Sequence, residues 1–255
     1  MNNMYIRDLV EAIPRRYSVR QYTAKEIPND LRNRLMVSEG IRRLDLTGCR
    51  VELAHAPGEL DDVFSGIIGN YGKIKGPSAL IALLVPEDSG ELGLLEAGYV
   101  GEQYVLRATS LGLATCWVGG MFHFKTLMGR LSIGPAEKVA AIISVGWPIS
   151  KTDPMGSLVH FFVKRKTLEQ IVDKDLLQSA GWVRSAADAV RVAPSAIHRQ
   201  PWFLSGTPAR VVLKPSRQGG FTYMDLGIAM LHFELAAEHA GHIGKWHVGP
   251  ELCFS

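Results

Sequence analysis

Cysteine is scarce in this chain. Cys49, Cys116 and Cys253 are odd in number and lack both a Cys-x-x-Cys pair and metal-like spacing, so a disulfide framework and a cysteine-zinc site are not expected. The three read as reduced, structural thiols. Long apolar runs are missing too: the longest, Ala79 to Val85, is far below the roughly 20 residues of a bilayer span, which argues against a membrane partner. Neither sign of charge dominates. Lys and Arg number 28 against 25 Asp and Glu, net +3, and the positives are scattered, so nothing calls for nucleic acid. No His-Glu-x-x-His pattern occurs, no metal is expected, and His239 with His242 reads as the solvated end of a helix. The serine-hydrolase elbow and the P-loop are also absent, which removes the usual signatures of acyl and phosphoryl transfer. Arg7, Asp8, Glu11, Arg15 and Arg16 crowd the N-terminal stretch without an apolar core, so a cytoplasmic location is the expectation.

What the chain does have is apolar content, with 47% hydrophobic against 21% charged residues, the balance of a globular protein. Its 255 residues suit one large domain or two small ones. Sliding the chain against itself by 129 residues aligns Glu96–Trp117 with Asp225–Trp246, so that Gly98 meets Gly227, Ala108 meets Ala237, Gly112 meets Gly241 and Trp117 meets Trp246. An acid opens both stretches. Each is a helix apolar on two sides, which predicts burial, and each ends in a glycine placed as a C-cap. The same offset carries Ala79–Leu84 onto Pro208–Leu213, two aliphatic runs that read as core strands. Further helices are predicted over 5–13, 29–39, 58–68, 122–129 and 175–191, and strands over 49–54, 114–118 and 138–146. Pro148, Pro154 and Gly156 mark 147–166 as a connector.

Four segments carry chemistry. In Arg15-Arg16-Tyr17-Ser18-Val19-Arg20 an extended backbone would turn Arg16, Ser18 and Arg20 to one side, compatible with an anion site and equally with a basic surface stretch. Gly112–Phe122 ends a helix, makes a short strand and then exposes bare backbone at Gly119 and Gly120, either for a planar ligand or for a tight turn. Val163–Glu169 holds the basic triplet Lys164-Arg165-Lys166, which also fits a solvated helix start. In Ala193–Trp202, between a helix and a strand, two prolines fix a loop on which Ser195, His198 and Gln200 offer polar contacts.

Together these segments resemble the flavin-dependent nitroreductase family. They match its Arg-x-Ser-x-Arg/Lys opening (Arg16 to Arg20), its Gly-Leu-x-x-x-Trp-like strand (Gly112 to Trp117) and its Gly-Tyr-Pro-like strand end (Gly146-Trp147-Pro148). They also match a basic element ahead of Leu168-Glu169 and a loop of the form Ala-Pro-Ser-x-x-Asn-x-Gln-Pro-Trp (Ala193 to Trp202). The order differs from ordinary members, whose Pro-Ser loop follows the N-terminal arginines. Here residues 37–48 occupy that place without a match, and the loop comes in the second copy.

The resemblance implies an α+β fold, a mostly antiparallel mixed sheet covered by helices, internally duplicated, with the two long helices near a pseudo-twofold axis. Ordinary members are similar to one another as homodimers holding FMN at the interface. This chain is then expected to be a fused pseudo-dimer and a monomer, with one surviving flavin site. Residues 1–166 would supply the phosphate arms and the N5 contact, and residues 167–255, a degenerate second half, the covering loop. Carried over residue by residue, Arg16 and Ser18 belong to the phosphate end, completed by Arg165 and Lys164, and Tyr17 between them is a further cofactor-binding residue. Arg20 lies near flavin N1 and O2, Asn70 and Lys73 near the isoalloxazine or ribityl region, Gly119 and Gly120 at N5, and Pro194, Ser195 and His198 over the ring. His198 stands where the family has an amide. The implied activity is an FMN oxidoreductase that takes hydride from NADH or NADPH and reduces a small aromatic, nitro or quinone-like acceptor. The flavin carries the chemistry, so no catalytic side chain is named. A flavin-binding protein without turnover is the alternative, and a duplicated α+β protein with merely structural glycines a third reading.

Overall fold

The computed structural model describes residues 3–65, 74–120, 122–150 and 165–255. An N-terminal helix α1 (Asn3–Ala12) and a short helix α2 (Asn29–Met36) precede a first unit of β1 (Arg50–His55), α3 (Asp61–Phe64), β2 (Ala79–Pro86), α4 (Gly90–Ser110), β3 (Ala114–Val118), α5 (Phe124–Met128) and β4 (Glu137–Gly146). The second unit runs through α6 (Lys174–Ser179), α7 (Gly181–Val192), β5 (Trp202–Thr207), β6 (Arg210–Pro215), α8 (Thr222–His239), β7 (Trp246–Val248) and β8 (Leu252–Phe254).

The mostly antiparallel sheet expected takes the form of two four-stranded sheets, ordered β1-β2-β4-β3 and β5-β6-β8-β7, with every strand pair among the described residues antiparallel. Parallel pairing is confined to isolated bridges such as Ser18 with Thr115 and Val172 with Leu204. The two sheets share one topology: a hairpin, a long helix, then a second hairpin whose last strand inserts beside the second. β2 sits inside its sheet and is buried along Ala79–Val85, which explains its unbroken apolar run.

The long helices α4 and α8 pack across the seam between the units. Their crossing is reciprocal: a Cβ on Gly98 would lie 2.0 Å from the Met224 carbonyl oxygen, and one on Gly227 2.0 Å from that of Leu95. Leu95 and Met224, like the two glycines, are related by the 129-residue offset, so the crossing lies on the pseudo-twofold. Only glycine lets the backbones approach this closely. The C-caps repeat as well. Gly112 (φ 80°) and Gly241 (φ 86°) turn left-handed, and the next residues, Leu113 and His242, donate to Ala108 and Ala237 over 2.9 Å.

Other expectations need amendment. The helix predicted over 175–191 is two helices, broken at Ala180, whose extended backbone (φ −157°, ψ 143°) follows a Ser179 hydroxyl bonded back to Leu176 O. The break lets Trp182 stack on His242 at 3.7 Å, so His242 is a packed side chain and not a solvated helix end. The helix predicted over 58–68 is described only as Asp61–Phe64. Residues 151–164 of the connector lie outside the described residues. All three cysteines are buried and free, and burial beside Glu96 pushes the Cys49 thiol up to about 12.

Candidate functional site

A cavity of about 710 Å³ opens where the two units meet. The first unit and the N-terminal segment contribute Ile13–Ser18, Arg20, Ile74 and Cys116–Gly120, with Val19 and Arg15 excluded; Arg165 comes from the segment between the units, and the second unit contributes the end of α7, Pro194–Arg199 and the start of α8. Arg16, Tyr17, Ser18, Arg20, Gly119, Gly120, Arg165, Pro194, Ser195 and His198 therefore share one cavity. Asn70, Lys73 and Lys164 lie outside the described residues.

The N-terminal segment reaches the cavity because it is extended beside β3. Val19 N donates to Thr115 O at 2.9 Å and its side chain is buried, while Arg16, Ser18 and Arg20 line the opening. Arg16 is a buried cation with little to neutralise it. Its Nε lies 3.9 Å from Glu102 Oε1 and has no hydrogen-bond partner among the described residues. Burial pushes its pKa down, against the pull of Glu102. Arg165 is brought down to about 10 by burial and by the like charges of Arg16 and Arg191, while its Nη1 donates to Ala193 O at 2.6 Å. At neutral pH the group remains cationic, a concentration of positive charge suited to a phosphate. The basic triplet is thus no solvated helix start at Arg165, nor Arg16 part of a surface stretch.

Glu102, fully buried on α4, ties the cavity walls together. One of its oxygens accepts from Trp117 Nε1 at 2.8 Å, and the other faces His232 Nε2 at 3.0 Å. The opposite nitrogen of His232 lies 3.0 Å from Ala189 O on α7. A carbonyl only accepts, so Nδ1 bears a proton, and the contact with Glu102 needs a further proton on one of its two members. This chain of contacts joins β3, next to Gly119, to the helix that leads into the Pro-Ser loop.

That loop is bent against its residues' preferences. Ile197 (φ 46°), His198 (φ 56°) and Gln200 (φ 46°) are all left-handed without being glycine, and for a β-branched residue this is a true outlier. Several bonds hold it: Ser195 Oγ accepts from Gln200 N at 2.9 Å, the Gln200 amide spans Lys166 N and Arg191 O at 2.8 Å each, and Ala196 N donates to Asp225 Oδ1 at 2.9 Å. Opposite it, Gly119 has a structural reason to lack a side chain, because a Cβ there would meet the Phe221 ring at 2.6 Å. Gly120 has space, its nearest such contact being 3.9 Å, and leaves bare backbone at the cavity.

Asp225 is the offset partner of Glu96, and the structure explains why an acid opens both repeats: each grips a loop. Glu96 Oε2 accepts from Thr47 N and Oγ1 at 2.8 and 2.7 Å, from Gly48 N at 3.0 Å and from Cys49 N at 3.4 Å. Burial pushes Glu96 up, but the Thr47 and Cys49 hydrogen bonds outweigh it and leave the carboxyl below its usual value. Asp225 has one such donor. Burial raises it to about 7, opposed by the Ala196 N–H and by Arg199. Sequence reasoning missed Asp225, Glu102, Arg191, Arg199 and Phe221 as lining or supporting residues. Of these, the paired acids at the repeat starts were the one visible signal.

A family model described as "Putative TM nitroreductase" matches residues 8–237. Among solved structures, a protein described as a nitroreductase from Thermotoga maritima superposes with a TM-score of 0.67 at 21% identity, over 96% of this chain and 92% of its own, a likeness of fold. A nitroreductase-type protein from Desulfovibrio desulfuricans, crystallised in complex with FMN, aligns over 64% of this chain and 93% of its own at 20% identity and a TM-score of 0.47. No curated protein matches. With the family model spanning both sheets' long helices and the cavity's two walls, the chain belongs to the nitroreductase family.

Proposed function

We propose that the cavity holds one FMN and that the protein is an NAD(P)H-dependent oxidoreductase acting on small aromatic, nitro or quinone-like acceptors. The observation that carries this reading is the convergence of the ten residues named above on one cavity. Three features fit the cofactor: a cavity of about 710 Å³, a buried Arg16 Nε lacking a partner among the described residues, and like-charged Arg165 and Arg191 beside it. When bound, FMN supplies hydride transfer between nicotinamide and acceptor. Arg16, Ser18 and Arg165 hold the phosphate, where charge-assisted bonds offset the mutual repulsion of the arginines. Arg20 puts positive charge at the pyrimidine edge of the ring, Gly120 offers backbone N–H, and the Pro194–His198 loop covers the ring and excludes water. The crossing of α4 and α8 within one chain, set against the homodimers implied for ordinary members, supports reading the working unit as a monomer.

The first measurement is the absorption spectrum of the purified protein, followed by release and quantification of the chromophore. About one FMN per chain is expected, bleached anaerobically by NADH or NADPH. Two FMN per chain, or none after incubation with excess FMN, would overturn the single shared site. Bound flavin that neither nucleotide bleaches would leave a binding protein without turnover.

A further inference from the structure

The reading above gives one acid of the cavity wall no part in binding FMN. Asp225 lies in the first turn of α8, 4% exposed, and lines the cavity. Oδ1 accepts from Ala196 N at 2.9 Å, and Oδ2 has no partner among the described residues. Glu96, at the equivalent position, also leaves one oxygen without a partner among the described residues, but that Oε1 is buried outside the cavity lining while its Oε2 takes four donors, whereas Asp225 has a single donor and lines the cavity. The charged and titratable groups around Asp225 are His198 and Arg199 on the loop, Arg191 at the end of α7, and Arg16, Arg20 and Arg165 elsewhere on the lining. Burial raises the acid to about 7, outweighing the Ala196 N–H and, of these groups, Arg199, both of which favour the carboxylate.

The geometry assigns Asp225 as the proton donor to the acceptor substrate. The step balances for either acceptor class that the reading names. A quinone plus one hydride equivalent, originating in NADH or NADPH, plus one proton gives the hydroquinone. A nitro group with the same hydride and proton gives the nitroso compound and water. In each case the Asp225 O–H bond breaks, a new O–H bond forms on the acceptor oxygen, and the carboxylate regains a proton from solvent; for the nitro group one N–O bond also breaks, and that oxygen leaves as water carrying this proton and the hydrogen of the hydride equivalent. The proposal rests on the flavin reading, and its test separates the two.

Asp225→Asn keeps an oxygen for Ala196 N–H but cannot supply an acidic proton, whereas Asp225→Ala loses both. In the flavin-free protein, an infrared titration of wild type minus Asp225→Asn should show one carboxyl band lost around pH 7. In the FMN-loaded protein, the Asp225→Asn substitution should leave FMN affinity and the rate of bleaching by NADPH within about twofold. It should slow reoxidation by a quinone about 100-fold, a typical general-acid effect, and flatten its pH profile. Reoxidation at the wild-type rate, or no carboxyl titrating between pH 6 and 8, would overturn the role. A loss of FMN affinity in parallel with rate would reduce Asp225 to loop support. Failure of the wild-type protein to take up FMN would instead remove the flavin reading, a different result from any of these.

Discussion

Glu96 and Asp225 occupy one position in two copies of the same unit, and their surroundings have diverged. Glu96 grips residues 47–49 with a carboxylate whose Oε2 takes four donors, and its pKa is depressed. Asp225 grips the Pro-Ser loop by one bond, its pKa is raised to about 7, and it faces a cavity. The grip is what the fold requires at this position. The number of donors on the gripping oxygen, and a place on the cavity wall, distinguish a structural acid from one available for chemistry.

The largest effect should come from the feature the copies still share. Gly98→Ala and Gly227→Ala each force a Cβ onto a backbone carbonyl that cannot yield, so each should cost at least about 3 kcal/mol in urea denaturation, and by similar amounts. A tolerated substitution at either glycine would break the reciprocity of the crossing. Next, Glu96→Ala strands several N–H groups and should cost about 2 to 3 kcal/mol, against about 1 kcal/mol for Asp225→Ala, which strands one. Equal costs would erase the distinction between the two acids.

Titration sharpens the comparison, because the two acids act with opposite sign. The folded value of Asp225 lies above the unfolded one of about 3.9, so the native state binds the extra proton between these values. Its stabilising contribution is full below that unfolded value and is lost as pH rises through about 7, at up to about 1.4 kcal/mol per unit. The difference in stability between wild type and Asp225→Asn, followed from pH 4 to 8, should carry this slope. Glu96, depressed in the folded state, contributes stability above its unfolded value and loses it as pH falls, so Glu96→Gln should alter only the acid limb. Smallest of all, Asp225→Asn near pH 4, where the folded-state acid is protonated, should change stability by less than about 1 kcal/mol, since the bond to Ala196 survives.

Much of the fold was legible where one local signal sufficed. The glycine C-caps at Gly112 and Gly241, the buried run of β2 and the full-circumference apolar pattern of α4 and α8 all follow from short-range chemistry. The small strands were not. β7 and β8 have three residues each, too few for alternation to register, and the Trp202-Phe203 start of β5 reads as the end of the loop before it. At the site, the alternation in Arg16-Tyr17-Ser18-Val19-Arg20 put three lining residues in view. Glu102 remained hidden, and Asp225 showed only as one of the two acids opening the repeats, because within a helix pattern an acid reads as surface until its burial is known.

The reciprocal crossing also bears on how this protein can change. In a symmetric pair of identical chains a single codon supplies both faces of the contact, so every substitution is made twice and each must fit its own image. Here Gly98 and Gly227 are inherited separately. A change on one side need only suit the unaltered other side, which frees a second copy of the unit to lose a pocket, or gain one, without dismantling the first.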